Sequence, residues 1–206
     1  MPYPLKTGIM YMMPTHFGPH TGPRRGPDGQ TFSLVDSPKK TTYSARFLTN
    51  ANQLEPLLPP GFSLQGDPVV TVFIEQMTEI EWLAGRGYNT LGVTFPVRYE
   101  GAKDRASGPF LSVLWENLAD PILTGREQLG FSKIYCEIPE PVVRADETHL
   151  TASWLGYRFM DLRLTGMTEL ANTEIPTNPA ALNDNADEGW LHYKYIPKTG
   201  AWRVAD

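Results

Sequence analysis

A series of short strand-like runs along this chain limits its possible folds more than any other feature. The runs are rich in β-branched and aromatic residues, which favour strands, and turn residues separate them. They cover residues 43–49, 69–75, 91–99, 110–116, 133–138, 149–156, 157–165 and 190–196. The sequence therefore predicts a mostly β fold of the α+β class, largely antiparallel, which is closed in a barrel-like arrangement or folded as a sandwich.

Helix signals are few, and the clearest one is DPILTGREQLG. Asp120 is predicted to be the N-cap, Pro121 the first helical residue and Gly130 the residue that ends the helix. A helix of about three turns would deliver the chain into a strand that begins near Lys133. A shorter helical turn is predicted after Asn50.

The region 14–30 is crowded with Pro and Gly, which is typical of an extended arm or of a set of turns. The chain has 206 residues, a length that suits one domain with a sizeable core. We therefore expect a Pro/Gly-rich N-terminal arm with the first turns over residues 1–40, and a single β domain over residues 41–206.

Charge and composition argue against several classes of protein. The net charge of −5 has the opposite sign to that of a typical nucleic-acid-binding protein. The single cysteine, Cys136, excludes an internal disulfide, and the residues between His16 and His20 prevent the helix that would suit their spacing to a metal. No run is long enough to span a membrane and no signal-peptide pattern is clear, so we expect a cytoplasmic protein.

Lys133 is the first candidate for chemistry, because it begins a predicted strand among apolar neighbours. One interpretation is structural: the stem packs against the protein and the ammonium reaches water. The other is chemical, since a desolvated lysine loses its proton readily and becomes a nucleophile. On a strand, Lys133 and Tyr135 share one face while Ile134 and Cys136 share the other. The residues alone leave both interpretations open.

Glu75 is the second candidate, because it ends the apolar run VVTVFIE. A carboxylate at that position is often the point where a buried strand meets water. Alternatively it lines a pocket, where it acts as a general acid or base or holds a substrate group. Both interpretations stay open from the residues alone.

Several segments, taken together and in order, resemble the acetoacetate decarboxylase family. The segment ENLADPILTGREQLGFSKIYCEIP resembles the family's block in which a GRE motif precedes the catalytic lysine. LLPPGFSL resembles its proline-rich turn, PVVTVFIEQM a strand with an active-site glutamate, and LHYKYIPKTG a late strand and turn. Together these segments span most of residues 41–200.

The resemblance implies roles for individual residues. Lys133 falls on the lysine that forms a Schiff base with the substrate, and Glu75 falls on an active-site glutamate. We expect four further residues to contact the substrate: Tyr135, Phe131, Tyr88 and Thr90.

The chain departs from the family pattern at three places. Ile134 stands where the decarboxylases have a second lysine, and Thr90 stands where they have a further active-site acid. The pocket arginine has no clear counterpart, and the nearest alignment offers Lys40. A changed acid and arginine imply a changed substrate or reaction. Some relatives resemble this pattern and use the same lysine for aldol condensation or dehydration.

The resemblance implies a carbon–carbon lyase that acts on a keto acid or ketone through a lysine imine, in the manner of a decarboxylase. No cofactor or metal is implied, because the protonated imine is itself the electrophile. Three alternatives stay open. They are an aldolase or dehydratase on the same imine, a non-catalytic β-barrel that binds a small hydrophobic molecule, and a domain for assembly with partners.

The sequence ends at Asp206, whereas the family continues through further strands and a helix. We expect either a short variant of the family or a chain without its last strands. An exposed sheet edge would favour a homo-oligomer, in which the arm of one subunit lies across another. The residues identify neither the substrate nor the number of subunits.

Overall fold

The computed structural model describes residues 37–168, 189–201 and 203–204, together with the isolated positions 7 and 32. The predicted arm over residues 14–30 lies outside the described residues. The described residues up to 41, with 76–88, form a smaller unit. Residues 42–75 and the described residues from 89 onward form a larger unit.

Short strands account for most of the described chain. They are β1 (Lys39–Leu48), β2 (Phe62–Leu64), β3 (Val69–Ile80), β4 (Arg86–Glu100), β5 (Arg105–Glu116), β6 (Lys133–Tyr135), β7 (Val142–Arg144), β8 (Glu147–Trp154) and β9 (Tyr157–Thr165). The α-helices are α1 (Ala51–Leu54) and α2 (Ala119–Thr124). Turns of 3-10 helix occupy Glu55–Leu57 and Glu81–Leu83, and a π-helical segment occupies Gly125–Leu129.

The strands form two sheets. A six-stranded sheet has the order β1-β3-β4-β5-β6 with β2 paired to β4, and a three-stranded sheet has the order β7-β8-β9. Strand β6 runs parallel to β5, whereas β5 and β2 run antiparallel to β4. The mostly β, α+β class is confirmed. The predicted barrel is not found among the described strands, since β1 and β6 lie at opposite ends of the larger sheet.

One predicted strand is wrong. The run 190–196 forms only an isolated bridge, between Leu191 and Phe110. The Leu111 N–H donates to the Leu191 carbonyl at 2.8 Å, and the Leu191 N–H donates to the Pro109 carbonyl at 2.9 Å. The run is parallel to β5 at Leu191, and β6 occupies the same side of β5 from Leu114 onward, so the run meets β6 if it continues along β5.

The helix prediction is correct at its end and wrong at its start. Helix α2 begins at Ala119 after Leu118, without a side-chain cap, so Asp120 lies in the first turn and is not the N-cap. The Asn117 side chain accepts a hydrogen bond from the Asn89 N–H at 2.8 Å, which fixes the chain just before the helix. Gly130, with φ of 81°, ends the segment as predicted. Within the described residues, no helix is both long and apolar enough to cross a membrane.

The larger sheet has two faces of different character, because successive side chains of a strand point to opposite sides. We call one of them the back face; its residues Ile74 and Leu91 pack with Leu150 and Ala152 of the three-stranded sheet. Cys136 belongs to this core, where burial raises the pKa of its thiol to about 12, with a smaller effect from Glu137. The opposite face, here the front face, combines a small apolar cluster with buried polar side chains. The cluster is Phe73, Leu111 and Leu114, and the polar side chains include Thr71, Glu75, Thr90, Glu116 and Lys133.

Candidate active site

Strand pairing brings the buried polar residues of the front face onto neighbouring strands. Thr90 of β4 lies directly opposite Glu116 of β5, so their side chains point to the same side. In the parallel pair of β5 and β6, Lys133 lies opposite Leu114, two residues before Glu116. A carboxylate, a hydroxyl and an amine therefore converge from three adjacent strands.

Glu75 lies on the same face, on strand β3. The Phe73 ring packs so closely over Gly92 that a Cβ there would clash with it. Strands β3 and β4 follow each other through a short connection and so run antiparallel. By strand alternation, Glu75 shares this face with Phe73, as Thr90 does with Gly92. Glu75 is buried and accepts a hydrogen bond from Thr42 Oγ1 at 3.5 Å.

Lys133 is a buried lysine with 8% of its surface exposed, and its amine has three partners. Nζ lies 2.8 Å from Glu116 Oε1 and donates to the Pro121 carbonyl at 3.2 Å. It also lies 5.2 Å from the centre of the Phe131 ring, within cation–π distance. The ammonium does not reach water as the structural interpretation of the sequence expected. The predicted apolar surroundings are wrong in one respect, because a carboxylate contacts the amine.

The GRE motif shapes the space that the lysine occupies. A Cβ added at Gly125 would lie 2.5 to 2.8 Å from Cδ, Cε and Nζ of Lys133, so only glycine leaves room for the lysine stem. Arg126 Nη1 donates to the Lys133 carbonyl at 2.8 Å. The first two residues of the motif therefore set the position of the lysine, one by its small size and the other by a hydrogen bond.

Glu116 is more deeply buried than the lysine, with 1% of its surface exposed. Oε1 accepts from Lys133, whereas Oε2 is buried with no hydrogen-bond partner among the described residues. Burial raises the pKa of Glu116, and the charge and hydrogen bond of Lys133 oppose that rise. Thr90, opposite Glu116, is 2% exposed, and its Oγ1 likewise has no described partner.

Aromatic residues pack beside the lysine and against the apolar cluster of the front face. Phe131 packs with its ring centre 4.4 Å from that of His192, and Trp190 packs 5.1 Å from Phe73. Burial lowers the pKa of His192, whose Nδ1 has no described hydrogen-bond partner. The segment that fails to form a strand thus supplies part of the covering of the front face.

The roles of Tyr135 and Tyr88 as substrate contacts stay predictions. Tyr135 is 48% exposed, and Ile134, which replaces the second lysine of the decarboxylases, is also exposed on the opposite face of β6. Tyr88 belongs to the smaller unit, where its ring packs 6.3 Å from that of Trp82. Lys40, the nearest counterpart of the pocket arginine, is exposed at the start of β1.

Glu116 and His192 were not predicted as site residues. Glu116 ends the apolar run FLSVLWE in the same way that Glu75 ends VVTVFIE, so the sequence carries the same signal on both strands. Nothing local marks His192, because its place depends on a long-range contact. Among the described residues, no group of three or more His, Cys, Asp or Glu side chains is placed to hold a metal ion. The chemistry that this arrangement offers is that of an amine beside a proton acceptor.

Comparison with known proteins gives one family. The sequence matches the acetoacetate decarboxylase family over residues 12–205. Among curated proteins, none matches the chain.

The solved structures that resemble the chain have the same fold. An acetoacetate decarboxylase from Legionella pneumophila is 19% identical, with a TM-score of 0.60, and the alignment covers 78% of this chain and 58% of that one. The enduracididine biosynthesis enzyme MppR is 16% identical, with a TM-score of 0.60 and coverage of 84% and 68%. An acetoacetate decarboxylase-like enzyme from Sphingomonas wittichii RW1 is 15% identical, with a TM-score of 0.58 and coverage of 81% and 67%. The chain thus spans less than two thirds of the length of the Legionella protein.

Proposed function

Because the chain belongs to the acetoacetate decarboxylase family, we propose that it is a carbon–carbon lyase in which Lys133 forms an imine with a small ketone or keto acid. The observation that carries this proposal is the buried Lys133 amine, 2.8 Å from a carboxylate on a face with further buried polar side chains. A lysine held only for packing would keep its ammonium in water.

The protonated imine is the electron sink of the reaction. The Lys133 nitrogen adds to the substrate carbonyl carbon, and water leaves to give a protonated imine. That iminium accepts the electron pair from the neighbouring carbon when carbon dioxide or a proton departs. Glu75 is suited to move protons or to orient the substrate on the front face. The Thr90 hydroxyl, which has no hydrogen-bond partner among the described residues, is suited to hold a substrate oxygen, and Phe131 is suited to pack on the apolar part of the substrate.

A second reaction on the same imine is favoured by two departures from the decarboxylase pattern, Ile134 in place of the second lysine and Thr90 in place of an acid. MppR, which shares the fold, forms a complex with the condensation product of pyruvate and imidazole 4-carboxaldehyde. Aldol condensation or dehydration is therefore the alternative to decarboxylation.

Reductive trapping tests the proposal. The protein is incubated with acetoacetate, pyruvate or acetone and sodium borohydride, and its peptides are then mapped by mass. We expect an added mass on the peptide that contains Lys133, none in Lys133→Met, and labelling retained in Lys194→Met, because Lys194 is exposed. Release of carbon dioxide from acetoacetate would identify the decarboxylase, and labelling without release the alternative.

Other results would contradict the proposal that the chain is an imine-forming enzyme. Absence of labelling with the whole panel, or labelling at another lysine, would contradict the imine. If Lys133→Met also kept its affinity for an apolar ligand, the chain would be a binding protein. The homo-oligomer and the cytoplasmic location stay predictions from the sequence. A monomer in light scattering at micromolar concentration would contradict the homo-oligomer.

A further inference from the structure

Glu116 has no role in the reaction described so far, although it touches the reacting atom. We propose that Glu116 is a second catalytic residue, which takes a proton from the Lys133 ammonium before attack and returns it when water leaves. This inference rests on the imine proposed above. It assigns the proton transfers of imine formation to a side chain that already lies at hydrogen-bond distance from the amine.

The first argument is the immediate environment of the amine. Glu116 Oε1 is a base at 2.8 Å from Nζ, whereas the Pro121 carbonyl at 3.2 Å accepts a hydrogen bond but not a proton. Arg126 bonds to the Lys133 backbone carbonyl and does not serve as an acceptor. His192 packs against the Phe131 ring, with the ring centres 4.4 Å apart. Glu75 lies on the same face, two strands away from Glu116.

The second argument is energetic. The side chains of both members of the pair are almost fully buried, 10% exposed for the lysine and 1% for the glutamate. Desolvation disfavours each charged form, so transfer of one proton converts two buried ions into two neutral groups at small cost. Burial also raises the pKa of Glu116 towards that of a useful proton acceptor.

The third argument distinguishes this pair from a structural ion pair. A buried ion pair contributes little net stability unless its remaining atoms are also satisfied. Glu116 Oε2 has no described partner, and neither has Thr90 Oγ1 on the residue directly opposite. Unsatisfied buried oxygens are costly to a fold but are suited to a substrate or a departing water molecule.

The proton balance closes without a further reactant. Transfer from Nζ to Glu116 leaves a neutral amine and a carboxylic acid. The amine lone pair forms the carbon–nitrogen bond, and one amine proton moves to the former carbonyl oxygen, which gives a neutral carbinolamine. The carboxylic acid then protonates the hydroxyl group, which leaves as water while the nitrogen lone pair forms the double bond. The products are a cationic imine, a Glu116 carboxylate and water, so the site ends with the same charges as it began.

The closing experiment measures the rate of borohydride trapping with acetone and with pyruvate. General acid–base catalysis contributes on the order of 10²- to 10⁴-fold, so we expect Glu116→Gln to slow labelling of Lys133 by at least about 10²-fold. Glu55→Gln is the control, because Glu55 is an exposed acid outside the GRE motif and outside the strands of the front face. It should label at the wild-type rate.

A rescue experiment separates chemistry from folding. Glu116→Ala leaves a space beside the amine, and added formate should restore a large part of the lost rate, whereas formamide should not. A wild-type rate in Glu116→Gln, or no response of Glu116→Ala to formate, would overturn the assignment while leaving the imine intact. If the wild-type protein itself is not labelled, the imine fails and the assignment fails with it.

Discussion

The two faces of the larger sheet are built from the same strands, yet one is an apolar core and the other carries buried polar side chains. On the back face, Ile74 and Leu91 pack with residues of the three-stranded sheet in an apolar core. On the front face, Glu75, Thr90 and Lys133 are also buried but are polar. One residue of displacement along a strand separates the two environments. A fold selected only for stability would have little reason to bury this polar set.

The largest expected effect comes from making the front face resemble the back face. Glu116→Leu leaves the Lys133 ammonium buried without its counter-ion, and we expect it to lower the free energy of unfolding by about 3–5 kcal/mol. Adding Lys133→Met should restore at least the wild-type stability, since well-packed apolar residues replace a buried ion pair without loss. Urea unfolding of both variants measures this. A double variant as unstable as the single one would contradict the account.

Gly125→Ala tests the front face through its geometry. The added Cβ would lie 2.5 to 2.8 Å from the end of the lysine side chain and must displace it. A shift of about 1 Å in a reacting group can cost on the order of 10²-fold in rate, so borohydride labelling of Lys133 should slow by that factor. Leu129→Ala, at an exposed position of the same segment, is the control. An unchanged rate in Gly125→Ala would show that the position of the amine is not critical.

The smallest effect concerns the covering of the front face. Burial lowers the pKa of His192, so the unfolded chain binds a proton more readily than the folded one. Stability from this group is complete above the ordinary histidine value of 6.5 and is lost as the pH falls through 6.5 towards the lower folded value. His192→Gln should reduce this loss in unfolding experiments between pH 7 and 5. His149→Gln, whose histidine pairs with exposed Asp161, should retain it.

The sequence revealed the back face more completely than the front. Alternation of apolar residues located most strands. It also correctly placed Cys136 and Lys133 on opposite faces of the sheet. Apolar neighbours in the sequence indicated Lys133 and Glu75 as candidates, and the family resemblance added their predicted roles. Glu116 ends an apolar run as Glu75 does, but its contact with Lys133 depends on the parallel pairing of β5 with β6. Local periodicity carries no information about such pairing.

The run 190–196 shows the converse error. Its aromatic and apolar residues are typical of a strand, but the adjacent edge of β5 is already occupied from Leu114 onward. The run therefore has the composition of a strand, but only Leu191 makes a strand-like bridge. The same tertiary context places His192 against Phe131, which no local pattern could predict.

Oxygen exchange tests the central claim, that Lys133 forms an imine, most directly. In water labelled with ¹⁸O, each cycle of imine formation and hydrolysis replaces the carbonyl oxygen of acetone with solvent oxygen, whether or not any carbon–carbon bond breaks. The account predicts that the wild-type protein accelerates this exchange above the buffer rate and that Lys133→Met returns it to the buffer rate. Equal acceleration by the wild type and Lys133→Met, or none by the wild type, would contradict it.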